Sequence, residues 1–136
     1  MPLHKDEDGY IHFTQATLIY TIIDDGDLTT SLRHNKVPVP SSTHLHAHAS
    51  SLAFDEIWNY PSVVGKLNYL PQITRPDIMC ATHMIANYSH DPHMEHDEAI
   101  IYLVMYLKST KGIVLKFNPN RNVDFEAYAD ADFPVN

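Results

Sequence analysis

The fold is decided by residues 59–112, which read NYPSVVGKLNYLPQITRPDIMCATHMIANYSHDPHMEHDEAIIYLVMYLKSTKG. We interpret this stretch as three consecutive helices. The first is predicted to begin at Asn59, whose side chain can cap a helix, with Pro61 in its opening turn, where no backbone N–H is needed. Apolar residues at helical spacing predict a buried stripe formed by Val63, Val64, Leu67 and Leu70.

The second helix is predicted to start within residues 74–77. Thr74 would be its N-cap, and the acid Asp77 lies three residues later, as in a capping box. The apolar face that follows is predicted to comprise Ile78, Ala81, Met84, Ile85 and Tyr88.

The third helix is predicted to open at Asp91 and Pro92 and to end before Gly112. Acidic side chains near its start and lysines near its end suit the helix dipole. Residues 99–107 are apolar nearly all round, so we expect protein to cover most of this helix.

The flanks of the helical stretch predict short strands. Residues 9–13 alternate between apolar and polar side chains, and the same period of two returns in residues 113–117 and 123–130. Residues 118–122 would turn the chain between the last two strands, giving a β-hairpin. The predicted fold class is therefore α+β, with a mainly three-helix core.

A further short helix is predicted over residues 15–24, with Thr14 as its N-cap and Gly26 as its stop. Its apolar side chains share one face: Leu18, Ile19, Ile22 and Ile23. Residues 24–27, Asp-Asp-Gly-Asp, partly resemble a calcium loop. They lack the remaining ligand spacing and the closing Glu, which favours a solvated helix end.

Residues 32–58 have no sustained period and contain Pro38, Pro40 and three alternate histidines. We expect a long connection on the surface. Alternate histidines on a strand can hold a metal ion, so a small zinc-binding protein using His44, His46 and His48 is one alternative function.

A second histidine pair lies at the start of the third helix. His93 and His96 are three residues apart beside Glu95, a spacing that suits zinc binding or acid–base chemistry. No nucleophile motif accompanies them, which favours structural or surface histidines.

The composition limits the functional class. The net charge of −8 argues against a free-standing nucleic-acid binder, because phosphate neutralisation needs a basic face. Cys80 is the single cysteine, which excludes an intrachain disulfide and favours an intracellular setting, in the cytoplasm or nucleus. No apolar run approaches the ~20 residues of a membrane span. Residues 1–6 lack the apolar part of a signal peptide, so we expect the protein not to be secreted.

Several motifs, taken in order, resemble the Pol polyprotein of copia-type LTR retrotransposons. They are Gly9-Tyr10-Ile11-His12-Phe13-Thr14-Gln15, Pro38-Val39-Pro40, Tyr60-Pro61-Ser62-Val63-Val64-Gly65-Lys66-Leu67-Asn68-Tyr69-Leu70, Thr74-Arg75-Pro76-Asp77-Ile78, Asp91-Pro92 with Glu95-His96, Tyr106-Leu107-Lys108-Ser109-Thr110-Lys111-Gly112, and Tyr128-Ala129-Asp130-Ala131-Asp132-Phe133. Each motif is weak alone, but the ordered set covers nearly the whole chain.

The resemblance implies a division into four parts. Residues 1–31 would be the end of the palm and the entry to the thumb of a reverse transcriptase, and residues 32–58 a linker. Residues 59–112 would form the helical thumb and connection. Residues 113–136 would be the truncated start of an RNase H domain.

The resemblance also implies binding and catalytic residues. The thumb and connection grip a primer–template, an RNA–DNA hybrid or a DNA duplex, by its backbone, so candidate contacts are Lys66, Arg75, Lys108 and Lys111. Asp130 matches the first catalytic carboxylate of RNase H, where a set of acids holds two Mg²⁺ ions. Asp130 would be a metal ligand only with the rest of that domain present.

The departures from the family pattern imply a loss of function. The Tyr-x-Asp-Asp box of the polymerase would precede Met1, and the other RNase H acids would follow Asn136. We therefore expect a Pol fragment that is catalytically inactive alone, holds no cofactor and contributes to nucleic-acid binding beside the rest of Pol. Positions often basic in the family carry Ile101, Tyr102 and Met105, which would weaken that binding. The alternative is a domesticated helical module whose third helix packs on a partner protein.

Overall fold

The computed structural model describes residues 3–41, 43–46 and 58–119. The elements in chain order are β1 (Leu3–Lys5), β2 (Ile11–Phe13), α1 (Ala16–Asp25), α2 (Tyr60–Ile73), α3 (Met79–Ala86), α4 (Met94–Ser109) and β3 (Leu115–Phe117). A single 3-10 turn, Pro76–Ile78, leads into α3. Within the described residues the chain is therefore α+β, with four helices and one three-stranded antiparallel sheet.

Helix α2 forms as its sequence predicts. The Asn59 side chain accepts a hydrogen bond of 3.0 Å from the backbone N–H of Ser62, and Pro61 lies in the first turn. The predicted apolar stripe is buried, and Tyr60 and Pro71 extend it. Local signals therefore suffice to define this helix.

The predicted N-caps of α1 and α3 are wrong, since Gln15 caps α1 and Ile78 caps α3. The N-cap of α1 is Gln15, and its side chain makes no capping bond. Its Oε1 atom instead accepts a 2.6 Å hydrogen bond from the Thr74 hydroxyl, with both side chains buried. Thr74 is the C-cap of α2 and donates its N–H to the carbonyl of Leu70. Gln15 and Thr74 thus join the start of α1 to the end of α2.

Helix α4 begins later than predicted. Asp91 and Pro92 precede it, and His93 is its N-cap. The backbone N–H of His93 donates to Nδ1 of His96, at 2.8 Å. A side chain of the first turn thus provides the hydrogen-bond partner for the N–H of the N-cap residue. As expected from its apolar sequence, most of α4 is covered by protein.

The hydrophobic core lies between the four helices. Each helix contributes fully buried side chains, among them Ile22 of α1, Leu67 of α2, Ile85 of α3 and Leu103 of α4. The predicted apolar face of α1 is confirmed, with Ile19, Ile22 and Ile23 buried and Leu18 packed beside them. Trp58, just before α2, adds its ring to the same core.

The sheet joins the two flanks of the helical region. β2 is the central strand and pairs antiparallel with β1 on one side and β3 on the other. Ile11 lies opposite Phe117, and Phe13 lies opposite Leu115. The sequence predicted β2 and β3 but neither β1 nor this pairing. The predicted second strand of the C-terminal hairpin, residues 123–130, lies outside the described residues.

Asp6, in the turn between β1 and β2, holds the three strands together. Its carboxylate accepts a hydrogen bond from the backbone N–H of Tyr10 and pairs with His12 at 2.8 Å and with Lys116 at 3.4 Å. The hydrogen bond from His12 is the main cause that lowers the pKa of Asp6 to about 2. The turn, β2 and β3 therefore meet at one ionised carboxylate.

None of the helices in the described part of the chain has the length and apolar character that a membrane span requires.

Candidate nucleic-acid interface

Arg75, a predicted phosphate contact, lies inside the protein. Its side chain is 1% exposed. The guanidinium binds both carboxylate oxygens of Asp77, at 2.8 and 2.9 Å, and donates to the hydroxyl and the carbonyl of Thr110 at the end of α4. Tyr106 donates its hydroxyl hydrogen bond to the same Asp77 carboxylate. We call these four residues the Arg75 cluster.

The Arg75 cluster keeps Asp77 ionised. Partial burial of this carboxyl would raise its pKa, but the hydrogen bonds from Arg75 and Tyr106 outweigh that effect and lower the pKa below the usual range. The geometry leaves no donor of Arg75 facing solvent for a phosphate. The cluster instead connects the 3-10 turn before α3 to the C-terminal end of α4, where a cation suits the helix dipole.

Lys108 also bonds within the chain. Its ammonium donates to three backbone carbonyls in the turn after α1, those of Leu28, Thr29 and Ser31, at 2.6 to 2.9 Å. An ammonium has three donors, so all of them are in use. Lys108 therefore holds this turn against α4.

The other two predicted contacts are nearer to solvent. Lys66 on α2 forms a 2.5 Å ion pair with Asp25 at the end of α1, and both side chains are about one-third exposed. Lys111 is exposed just beyond α4, and its ammonium lies 5.3 Å from the centre of the Tyr20 ring on α1. Of the four predicted cations, Lys111 and Lys66 are those that a phosphate backbone can approach.

The described residues contain no group of three or more His, Cys, Asp or Glu side chains placed to hold a metal ion. His44 and His46 are exposed, and His48 lies outside the described residues, as does Asp130. In the Asp-Asp-Gly-Asp segment, Asp25 pairs with Lys66. The one cysteine, Cys80, is exposed on α3.

The connection before α2 makes hydrogen bonds to the helical region that were not predicted from the sequence. Asn35 is buried and donates a 2.7 Å hydrogen bond to the carbonyl of Tyr102. Further along, Tyr88 donates to the carbonyl of Leu45 at 2.8 Å. These hydrogen bonds fasten the described part of the connection to the helices. No local signal predicts these contacts, because their partners are far away in the sequence.

His96 is the most enclosed titratable group of this region. Its side chain is 0% exposed, and its ring stacks on Tyr88 with 4.2 Å between ring centres. Burial is the main cause that lowers the pKa of His96 below the usual range, although the nearby Glu95 opposes it. The His93–His96 spacing has the i, i+3 pattern of a capping box, which is the signal that could have identified this structural role.

A cavity of about 570 Å³ lies between this connection and α4. Its apolar wall includes Val39, Leu45 and Ile101, and its rim carries Glu98 and Arg33. The Arg33 guanidinium lies over the ring of Tyr102, 5.4 Å from its centre. The cavity is therefore mixed in character, since its lining combines one arginine, Arg33, with two glutamates, Glu95 and Glu98.

Comparison with known proteins identifies transposon polyproteins as relatives of this chain. The chain is 34% identical over 125 residues, 90% of its length, to the retrovirus-related Pol polyprotein from transposon RE2 of Arabidopsis thaliana. Over 73 residues, 54% of its length, it is 37% identical to the corresponding polyprotein from transposon TNT 1-94 of Nicotiana tabacum. The chain is related to the Pol polyproteins of copia-type retrotransposons.

The chain matches only a small part of these Pol relatives: the alignments cover 8% of the RE2 polyprotein and 5% of the TNT 1-94 polyprotein. Another relative is Secreted RxLR effector protein 161 of Plasmopara viticola, 34% identical over 74 residues. That alignment covers 54% of the chain and 52% of the effector. No protein-family model and no solved structure matches the chain.

Proposed function

We propose that this chain is a Pol segment corresponding to the thumb and connection of a reverse transcriptase, followed by the start of RNase H. The observation that carries the proposal is the alignment with the RE2 polyprotein over 125 residues. In this role the chain contacts the phosphate backbone of an RNA–DNA hybrid or DNA duplex and works inside the cell beside the rest of Pol.

Lys66 and Lys111 are the proposed phosphate contacts. Both are helix-associated cations with access to solvent, whereas Arg75 and Lys108 bond inside the chain. The net charge of −8 opposes the approach of a polyanion. Binding is therefore weak and strongly dependent on salt.

The proposal includes no catalysis by this chain alone. The sequence has no Tyr-x-Asp-Asp motif, and Asp130 is the one residue that the resemblance matches to a catalytic acid. A two-metal site needs several acids at once, so Mg²⁺ belongs to the parent enzyme in this proposal. The described residues bring no such set together.

Within the described residues, most of the apolar side of α4 is already covered by the chain itself, which weighs against the alternative of a helical module that binds a partner through this helix. Ile100, Leu103, Val104 and Leu107 of this helix are fully buried within the chain's own core. A partner could reach them only if the core opened.

Fluorescence anisotropy with a labelled RNA–DNA hybrid tests the proposal. We expect binding that weakens steadily as KCl is raised from about 25 to 200 mM. Lys111→Gln should weaken binding and reduce the magnitude of the salt slope by about one unit, because one phosphate contact is lost. Lys36→Gln is the matched control, since Lys36 is an exposed lysine of the connection, outside the helices.

Two outcomes would contradict the proposal. Absence of binding at the lowest salt would exclude nucleic-acid contact as a working function of this chain. An equal effect of Lys36→Gln and Lys111→Gln would show attraction to charge in general rather than a defined interface.

A further inference from the structure

Three hydrogen bonds fasten residues 45 and 46 to the region where α3 ends and α4 begins. The hydroxyl of Tyr88 donates to the carbonyl of Leu45 at 2.8 Å. The N–H of His46 donates to Oε1 of Glu95 at 2.9 Å, and Nε2 of His96 lies 3.1 Å from the carbonyl of His46. We call this set the clasp.

The hydrogen bonds of His96 define its protonation state. A carbonyl oxygen only accepts, so Nε2 must carry the proton that reaches His46. Nδ1 faces the backbone N–H of His93, which only donates, so Nδ1 must be unprotonated. His96 is therefore a neutral imidazole with its proton on Nε2, and both ring nitrogens are satisfied.

We propose that His96 is a proton-operated latch, in which protonation at Nδ1 opens the clasp and releases residues 45 and 46 from the region where α3 ends and α4 begins. A proton on Nδ1 would point at the N–H of His93, so the hydrogen bond that caps α4 would be lost. The charged ring would also lie in a site with no exposure to water. Both effects drive the ring outwards, away from Tyr88 and from the carbonyl of His46.

Neighbouring groups decide how readily the latch responds. The titratable groups that face His96 lie on α4, in the turn before it and after α3: Glu95, Asp91, His93 and Tyr88. The connection faces His96 with the backbone carbonyl of His46. Glu95, 3.4 Å from Nε2, and Asp91 favour the charged ring, whereas a charged His93 opposes it. Burial is the largest effect and favours the neutral ring.

The direction of the pH response follows from this balance. The folded state binds the proton of His96 less readily than the unfolded state, whose histidine pKa is about 6.5. The clasp therefore has its full stability above pH ~6.5 and loses it as the pH falls further. Opening would expose the cavity beside α4, because Leu45 and Glu95 belong both to the clasp and to the cavity wall.

Nuclear magnetic resonance on the full chain tests the latch. Long-range ¹H–¹⁵N spectra report the tautomer and the titration of each histidine ring. Amide hydrogen exchange at His46 and His93 reports clasp opening between about pH 7.5 and 5. After correction for intrinsic exchange, we expect protection to fall up to about tenfold per pH unit below 6.5.

Two variants separate the latch from general acid sensitivity. His96→Gln keeps an acceptor and a donor but cannot titrate, so its protection should be independent of pH over this range. His83→Gln removes an exposed histidine of α3 and should behave as the unmodified chain. If His96→Gln does not fold, the tautomer and titration of His96 in the unmodified chain decide alone. A proton on Nδ1 at neutral pH, a pKa of His96 at or above 6.5, or equal pH dependence in both variants would overturn the proposal.

Discussion

The guanidinium of Arg75 joins two parts of the chain that are far apart in sequence. It binds Asp77 in the 3-10 turn and Thr110 at the end of α4, and its charge lies 5.5 Å from the centre of the Tyr106 ring. A planar group with five donors suits such a junction, whereas a lysine could not make the same set of bonds.

Arg75→Ala should therefore destabilise the fold. Loss of one partner of a buried ion pair costs roughly 3–5 kcal/mol, and we expect the lower end because the Asp77 side chain remains 35% exposed. Urea unfolding followed by circular dichroism measures the change. Arg33→Ala is the matched control, since Arg33 is exposed and its contact with Tyr102 is worth less than about 1 kcal/mol. Normal stability with loss of hybrid binding would show instead that Arg75 contacts the ligand.

At the scale of elements, the approach of Trp58 to the end of α1 sets the spacing of the helices. Its ring lies directly over Gly26, and its indole N–H donates to the buried carboxylate of Asp97 on α4. A Cβ atom on Gly26 would lie within 2.8 Å of the ring carbon Cε3. The glycine is thus required by close approach rather than by backbone conformation, since its φ of −95° suits any residue.

Two glycine substitutions should have opposite effects. Gly26→Ala forces Trp58 to move, and overpacking of this kind costs about 1–3 kcal/mol. Gly65→Ala, inside α2 with nothing within 4 Å of the new methyl group, should stabilise the fold by roughly 0.5–1 kcal/mol. Thermal unfolding of both variants measures the two changes in stability. Equal effects would mean that Trp58 does not pack on Gly26 in solution.

The sequence predicted the elements whose signals are local. Asn59, Pro61 and the apolar period define α2 within a few residues, and the structure confirms them. The predicted N-cap role of Thr74 was wrong, because the hydroxyl of Thr74 bonds to Gln15, a residue much earlier in the chain. The candidate site shows the same contrast between local and tertiary effects. The sequence identifies Arg75 as a cation of the helical region, but the burial of Arg75 depends on tertiary packing.

At the scale of the whole molecule, the sheet has one polar face and one apolar face. The polar face carries His4, His12 and Lys116. The apolar face carries Leu3, Ile11, Phe13, Leu115 and Phe117, together with one lysine, Lys5, opposite Ile11. The rings of Phe13 and Phe117 are in contact, with their centres 5.4 Å apart. Leu3 is 59% exposed and Phe117 50% exposed. This face of the sheet is therefore partly exposed apolar surface.

We expect this apolar face to promote self-association at high protein concentration. Phe117→Lys should lower the average mass in sedimentation equilibrium, because a charge on the face opposes its burial. Leu32→Lys is the control, since Leu32 is 89% exposed on the connection, away from the sheet. If both lysine variants reduce association equally, net charge rather than this face controls it.

The pairing of β2 with β3 has a consequence for the order of folding. Because Ile11 lies opposite Phe117, the four helices form one long loop whose ends meet in the sheet. Strands of three residues provide few hydrogen bonds to offset the entropy of closing such a loop. We therefore expect the helices to assemble first and to bring β2 and β3 together. We expect the pairing of β2 with β3 to be the last to form and the first to open, whereas β1 and β2 are joined by a short turn and can pair locally.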